Sequence, residues 1–152
     1  MQSQLLLKDT ISRLKAKYCR VIDEKNWTEF ASLIIERPRL QFFGSDGFLQ
    51  NEFRSTAEFV DATRGLIEGA QTAHQVHNAE IEVVADDEVK AVWSIEDLIV
   101  YPRGVHRIST MNAFGHSHET WRLVDGVWRL TDLALRRTIL IIKTWEDTGT
   151  VN

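Results

Sequence analysis

One cysteine, Cys19, stands in a chain of 152 residues. A single thiol excludes an intrachain disulfide and gives no support to an oxidising compartment; a half-buried helical position is its expected use. Positive charge is also scarce. Eighteen Lys and Arg against 22 Asp and Glu leave a net charge of −4, which argues against a nucleic-acid binder, whose surface carries a basic patch or stripe. No apolar run approaches the roughly 20 residues needed to span a bilayer. Leu5, Leu6 and Leu7 are followed at once by Lys8 and Asp9, unlike a secretory signal. The expectation is a cytoplasmic protein without nucleic-acid or membrane partners. Glycine-rich phosphate loops, a G-x-S-x-G elbow and Walker or dinucleotide fingerprints are missing too, which argues against nucleophile-elbow hydrolases and nicotinamide-dependent enzymes.

What is present is an ordinary globular composition, 43% hydrophobic and 26% charged, at a length that suits one domain over 1–152 with its own core. Leu7, Ile11, Leu14, Tyr18 and Val21 recur at spacings of three and four, which predicts an amphipathic helix from about Ser3 to Lys25. Trp27, Phe30, Ala31 and Ile34 predict a second helix that ends before Pro38. Strands are expected at Arg39–Gly44 and Phe48–Phe53 around Ser45-Asp46-Gly47. Ser55-Thr56-Ala57-Glu58 has the form of a capping box opening a third helix to about Gly69. Four strands then follow, Gln75–Ala85, Glu88–Tyr101, Arg107–Val124 and Val127–Lys143, with hairpin turns at Asp86-Asp87 and Asp125-Gly126. The order predicts an α+β domain, three N-terminal helices packed on one face of a curved, mainly antiparallel sheet that encloses a pocket.

Strand parity singles out polar residues at apolar positions. Asp97 falls in step with Val89, Ala91, Trp93, Ile95 and Ile99, and Arg137 with Leu133, Leu135, Ile139 and Ile141. A charge on an apolar face is costly unless paired or used, so the two are either a buried ion pair or pocket residues. Tyr18 lies on the apolar stripe of the first helix, as a core tyrosine or a pocket hydroxyl. Asp23, five residues on, is about 140° around an ideal helix, so a bend or the helix end must bring the two together. Parity places His77 with Ala79, Ile81 and Val83 facing the core and His74 opposite, unless a bulge intervenes. His116 and His118 share a face, but no carboxylate or cysteine completes a metal-ligand pattern. No metal and no cofactor is expected. His106 falls in a loop and carries no assignment. Five Trp and seven Phe supply flat side chains for a core or a pocket wall.

The segment Tyr18-Cys19-Arg20-Val21-Ile22-Asp23-Glu24-Lys25-Asn26-Trp27 resembles the opening helix of the SnoaL-like branch of the NTF2-like superfamily. Ala73–Asn78 followed by Trp93–Asp97, and Glu119–Leu130 with its Asp-Gly-x-Trp turn, extend the resemblance over nearly the whole chain. Within that branch the chain is most similar to the bile-acid 7α-dehydratase and scytalone dehydratase families. The resemblance implies an acid–base site of Tyr18, Asp23, His74 and Arg137, and it prefers His74 where parity prefers His77. Asp97, Ser117, Phe43, Trp93 and Trp121 are the implied substrate-binding residues. Two departures stand out. A hairpin tyrosine of the dehydratases falls on Phe43 or Gly44, and the second histidine of scytalone dehydratases has no counterpart in Asp97-Leu98-Ile99.

The implied activity is a cofactor-independent lyase or isomerase acting on a hydrophobic polycyclic or aromatic oxygenated small molecule. The alternatives are a non-catalytic assembly module like the small subunit of a ring-hydroxylating dioxygenase, or a SnoaL-like polyketide cyclase. A homodimer or homotrimer is expected by analogy.

Overall fold

The computed structural model describes residues 3–146. Helix α1, Gln4–Asp23, is N-capped by Ser3, whose hydroxyl accepts from the Leu6 amide at 3.2 Å. Its buried stripe includes Leu7, Ile11, Tyr18 and Ile22, with the charged Lys15 among them. The helix stops in a tight reversal. Lys25 takes a left-handed φ of 56°, its amide donates to Ile22 O and the Asn26 amide to Val21 O, a Schellman closure that normally uses glycine. Asn26 then caps α2 (Trp27–Ser32). Asp23 is thereby left as the last residue of α1, at the mouth of the reversal. Helix α3, Thr56–Ile67, starts on the expected cap, Ser55 accepting from the Glu58 amide.

Six strands follow the order β2-β1-β6-β5-β4-β3: β1 Ile34–Phe43, β2 Leu49–Phe53, β3 Gln71–Ala85, β4 Glu88–Val100, β5 Ile108–Val124 and β6 Val127–Thr144. All neighbours are antiparallel except β1 and β6, which run parallel. The fold is α+β, helices on one face of an open, mixed sheet. The covered face carries Val89, Ala91, Trp93 and Ile95 of β4, Ser117, Glu119 and Trp121 of β5, and Leu133 and Leu135 of β6, all buried. Asp125 and Gly126 both have positive φ, the two-residue turn that Asp-Gly favours.

The structure corrects two readings of the chain. Ile34 does not extend α2, which ends at Ser32; it opens β1, and β1 runs through Pro38. Proline is tolerated there because it falls within the register break between Ile34 and Arg39, ahead of the first β2 partner at Leu40, where no ladder bond requires its missing N–H. Parity on β6 also fails beyond Arg137. Gly115 pairs with Arg137 but Phe114 pairs with Ile139, so Thr138 is an extra residue. Ile139 and Ile141 turn to the uncovered face and are exposed.

Candidate active site

The site begins at the end of α1. Asp23 Oδ1 lies 2.7 Å from His74 Nδ1. The same carboxylate accepts from the His74 amide, 3.1 Å to each oxygen, and from Thr72 Oγ1 at 2.9 Å. Residues 72 and 74 share a face of β3, so one strand delivers all three donors to a carboxylate presented by the helix end. Burial pushes the Asp23 carboxyl up, but the His74 ring and amide and the Thr72 hydroxyl outweigh it and hold the group below its ordinary value. An ionised carboxylate can only accept. The proton of a neutral His74 ring therefore sits on Nδ1, and the Nε2 lone pair is left without a partner among the described residues.

A bulge decides which histidine joins this pair. His77 pairs with Ser94 and Glu80 with Val92, so Asn78 and Ala79 together oppose Trp93. Asn78 sits at φ 49°. The extra residue flips parity along β3: Ile81 and Val83 face the helices, and so do His74 and Val76 on the other side of the bulge, while His77 is exposed on the outside.

His74 stands directly opposite Asp97 on β4, an adjacent cross-strand position roughly 5 Å away at Cβ. Asp97 Oδ2 in turn accepts from Arg137 Nη1 at 2.8 Å, and both side chains are largely buried. The ion pair and the histidine dyad are thus neighbours on the covered face. Arg137 reaches the covered face by plain alternation from Leu133 and Leu135, the β6 bulge at Thr138 beginning just after it, and the residue paired with Arg137 is Gly115. A β carbon at Gly115 would come within 2.2 Å of the Arg136 carbonyl oxygen.

Tyr18 is buried on α1, its ring 5.0 Å from Phe30 in an edge contact. Burial, then the charge of Glu119, with Cys19 and Asp97 adding to it, push its phenol well above the ordinary value. It is a neutral hydroxyl at physiological pH. That hydroxyl makes no hydrogen bond among the described residues and is not one of the sealed, unsatisfied buried atoms, so it is free to donate.

The remaining sequence candidates fall elsewhere. Ser117, Trp93 and Trp121 are buried around Glu119. Ser117 Oγ donates to its Oε1 at 2.8 Å, and the Trp93 and Trp121 indoles donate to its Oε2 at 3.1 and 2.9 Å. Lys15 Nζ completes the set. Phe43 pairs with Arg136 and lies under its guanidinium, 4.1 Å from the ring centroid, on the face opposite Arg137. His116 and His118 are exposed on the outer face. Among the described residues no three His, Cys, Asp or Glu side chains group closely enough to hold a metal ion, and no helix is long and apolar enough to cross a membrane.

Lys15, Glu119 and Thr72 are the site-adjacent residues that the sequence reading passed over. The signal was there for two of them. Lys15 follows Ile11 by four and precedes Tyr18 by three on an otherwise apolar stripe. Glu119 alternates with Ser117 and Trp121 on β5. An open cleft of about 530 Å³ between α1 and β3, with Cys19, Asp23, His74 and Val76 in its wall, gives the dyad access to solvent.

A model of the SnoaL-like domain matches residues 3–134. A protein of Gibberella zeae, named as a probable cyclase, is 30% identical over 136 residues, 84% of this chain and 88% of its own. Among solved structures, a candidate scytalone dehydratase of Novosphingobium aromaticivorans superimposes with a TM-score of 0.76 at 18% identity, covering 97% of both chains. The β subunit of a candidate aromatic-ring-hydroxylating dioxygenase from the same organism gives 0.73 at 20% identity, covering 96% of this chain and 98% of its own.

Proposed function

The chain belongs to the SnoaL-like domain family of the NTF2-like superfamily, and from that premise we propose that it is a cofactor-independent lyase or isomerase. Its substrate is a hydrophobic polycyclic or aromatic oxygenated small molecule. The observation that carries the reading is the Asp23–His74 dyad, in which Nδ1 is held by a carboxylate and Nε2 is free.

His74 Nε2 removes a proton from a carbon next to a carbonyl, and the C–H electron pair passes into an enolate. Asp23 fixes the tautomer and stabilises the imidazolium that forms. Tyr18 donates to the developing oxyanion or to the departing oxygen. In a dehydration a β-hydroxyl leaves with a proton as water, and the alkene is conjugated to the carbonyl. In an isomerisation the same proton returns at another carbon. Arg137, paired with Asp97, binds the substrate oxygen or steadies Asp97. The likeness to the dehydratase supports the first outcome, and the Gibberella relative's name supports a third, in which the enolate closes a ring on a carbonyl of the same molecule.

His74→Ala tests the reading, assayed against a panel of hydroxy-steroid and polyketide-like ketones. Turnover should fall by about 10²–10⁴-fold with the circular dichroism and melting profile kept. Retained turnover sinks the mechanism. The dioxygenase β subunit supports a rival, non-catalytic reading, which copurification with a larger iron–sulfur protein would establish in its place.

A further inference from the structure

The mechanism leaves one buried charged cluster unused. Lys15 and Glu119 are 2% and 4% exposed and bonded to each other. The Glu119 carboxylate is saturated, two donors on each oxygen, from Lys15, Ser117, Trp93 and Trp121. A buried ion pair is weak evidence for stability, because well-packed apolar residues of similar volume serve as well or better. Its location suggests another use. Lys15 Nζ lies over the face of Tyr18, 4.1 Å from the ring centroid, while Phe30 meets the same ring edge-on.

We propose that the Lys15–Glu119 pair is a positioning element for Tyr18, pinning the ring by its face and keeping the hydroxyl protonated as a donor to the substrate oxygen. The inference rests on the reading of Tyr18 as that donor. An ammonium placed alone against a phenol draws it toward tyrosinate. Glu119 cancels that pull, so the ring is held by a cation without being ionised by it. The other titratable groups whose fields reach Tyr18 are Cys19 on α1 and Asp97 on β4. Arg137 from β6 pairs with Asp97, and Phe30, the α2 ring that meets Tyr18, is uncharged. Burial is the largest influence on the phenol, with Glu119 next, and Lys15, bonded to Glu119, is the charge that lies against the ring face.

The test needs no substrate. Tyr18 and Tyr101 are the two tyrosines of the chain, so in a Tyr101→Phe background the tyrosinate absorbance reports Tyr18 alone. In that parent Tyr18 should stay neutral up to alkaline unfolding. In Glu119→Gln, with Lys15 uncompensated, tyrosinate should appear at least about one pH unit before unfolding. In the double variant Lys15→Met, Glu119→Gln it should again be silent. A folded Glu119→Gln variant that stays silent, or a double variant that titrates like the single one, overturns the proposal. If Glu119→Gln does not fold, the charge-free double variant carries the test in fluorotyrosine-labelled protein. Its Tyr18 resonance should move and narrow as the ring is released, and an unmoved resonance overturns the proposal. Tyr18→Phe, assayed for turnover, tests the donor role separately, so the two ideas fail by different measurements.

Discussion

Asp23 and Glu119 are both carboxylates crowded by donors, and they are built for different ends. Asp23 sits at a helix end beside an open cleft and takes all its donors from Thr72 and His74 of one strand. Its principal partner, an imidazole, keeps a second nitrogen free. Glu119 sits in the core, takes donors from α1, β4 and β5, and spends every lone-pair direction on them. Its charged partner, Lys15, is turned onto a ring face. The first arrangement leaves one basic atom with nothing to bind, which is what proton transfer needs. The second leaves none, which is what a fixed charge needs.

The contrast can be broken most severely at the dyad. Asp23→Asn keeps the shape but lets an amide N–H face Nδ1, which pushes the imidazole into the tautomer whose Nε2 carries the proton. Turnover on the ketone panel should drop by about a hundredfold or more, with the fold intact. The same variant alters acid stability. The Asp23 carboxyl is held below its ordinary value in the folded chain, so its stabilisation is complete above the unfolded value near pH 4 and is lost as pH falls through the folded value. Denaturant titrations of parent and Asp23→Asn should therefore converge toward low pH and separate near neutrality.

At Glu119 the order of effects reverses. Glu119→Ala strands a buried ammonium and should cost about 3–5 kcal/mol of stability, measured by urea denaturation. Removing both charges should return most of it. Gly115→Ala sharpens the comparison from the sheet side, since its β carbon meets backbone at 2.2 Å. A loss of about 1–3 kcal/mol is expected, read as a lower melting temperature. The smallest effect concerns Cys19. Burial, only partly offset by Lys15, pushes its thiol up to about 11. Alkylation at neutral pH should run far slower than for a free thiol and recover on unfolding.

Much of this architecture is legible in the sequence because periodicity and caps are local. The α1 stripe, the Ser55 cap and the Asp125-Gly126 turn all appear where the residues place them. Errors arise where a single residue changes the phase. Thr138 detaches Ile139 and Ile141 from the face of Arg137, and Asn78 puts His74 and Ile81 on one side although their spacing is odd. Pro38 ends no helix because α2 has already ended at Ser32. The pairing of Asp97 with Arg137 is readable as two charges on apolar faces. The Glu119 cluster needed the same parity argument applied to β5, and the convergence of its donors from helix and strands is a tertiary fact that no single segment encodes.

The extra residue at Asn78 also has a meaning for insertions and deletions. Here the residue lost can be the extra one. Without Ala79, Asn78 alone would stand opposite Trp93, and His77 would still face Ser94 and His74 still face Asp97. A frame-preserving deletion of that codon therefore heals the bulge and keeps His74, Ile81 and Val83 on one face, whereas loss of a residue from an unbulged stretch of the strand would put its two sides out of step.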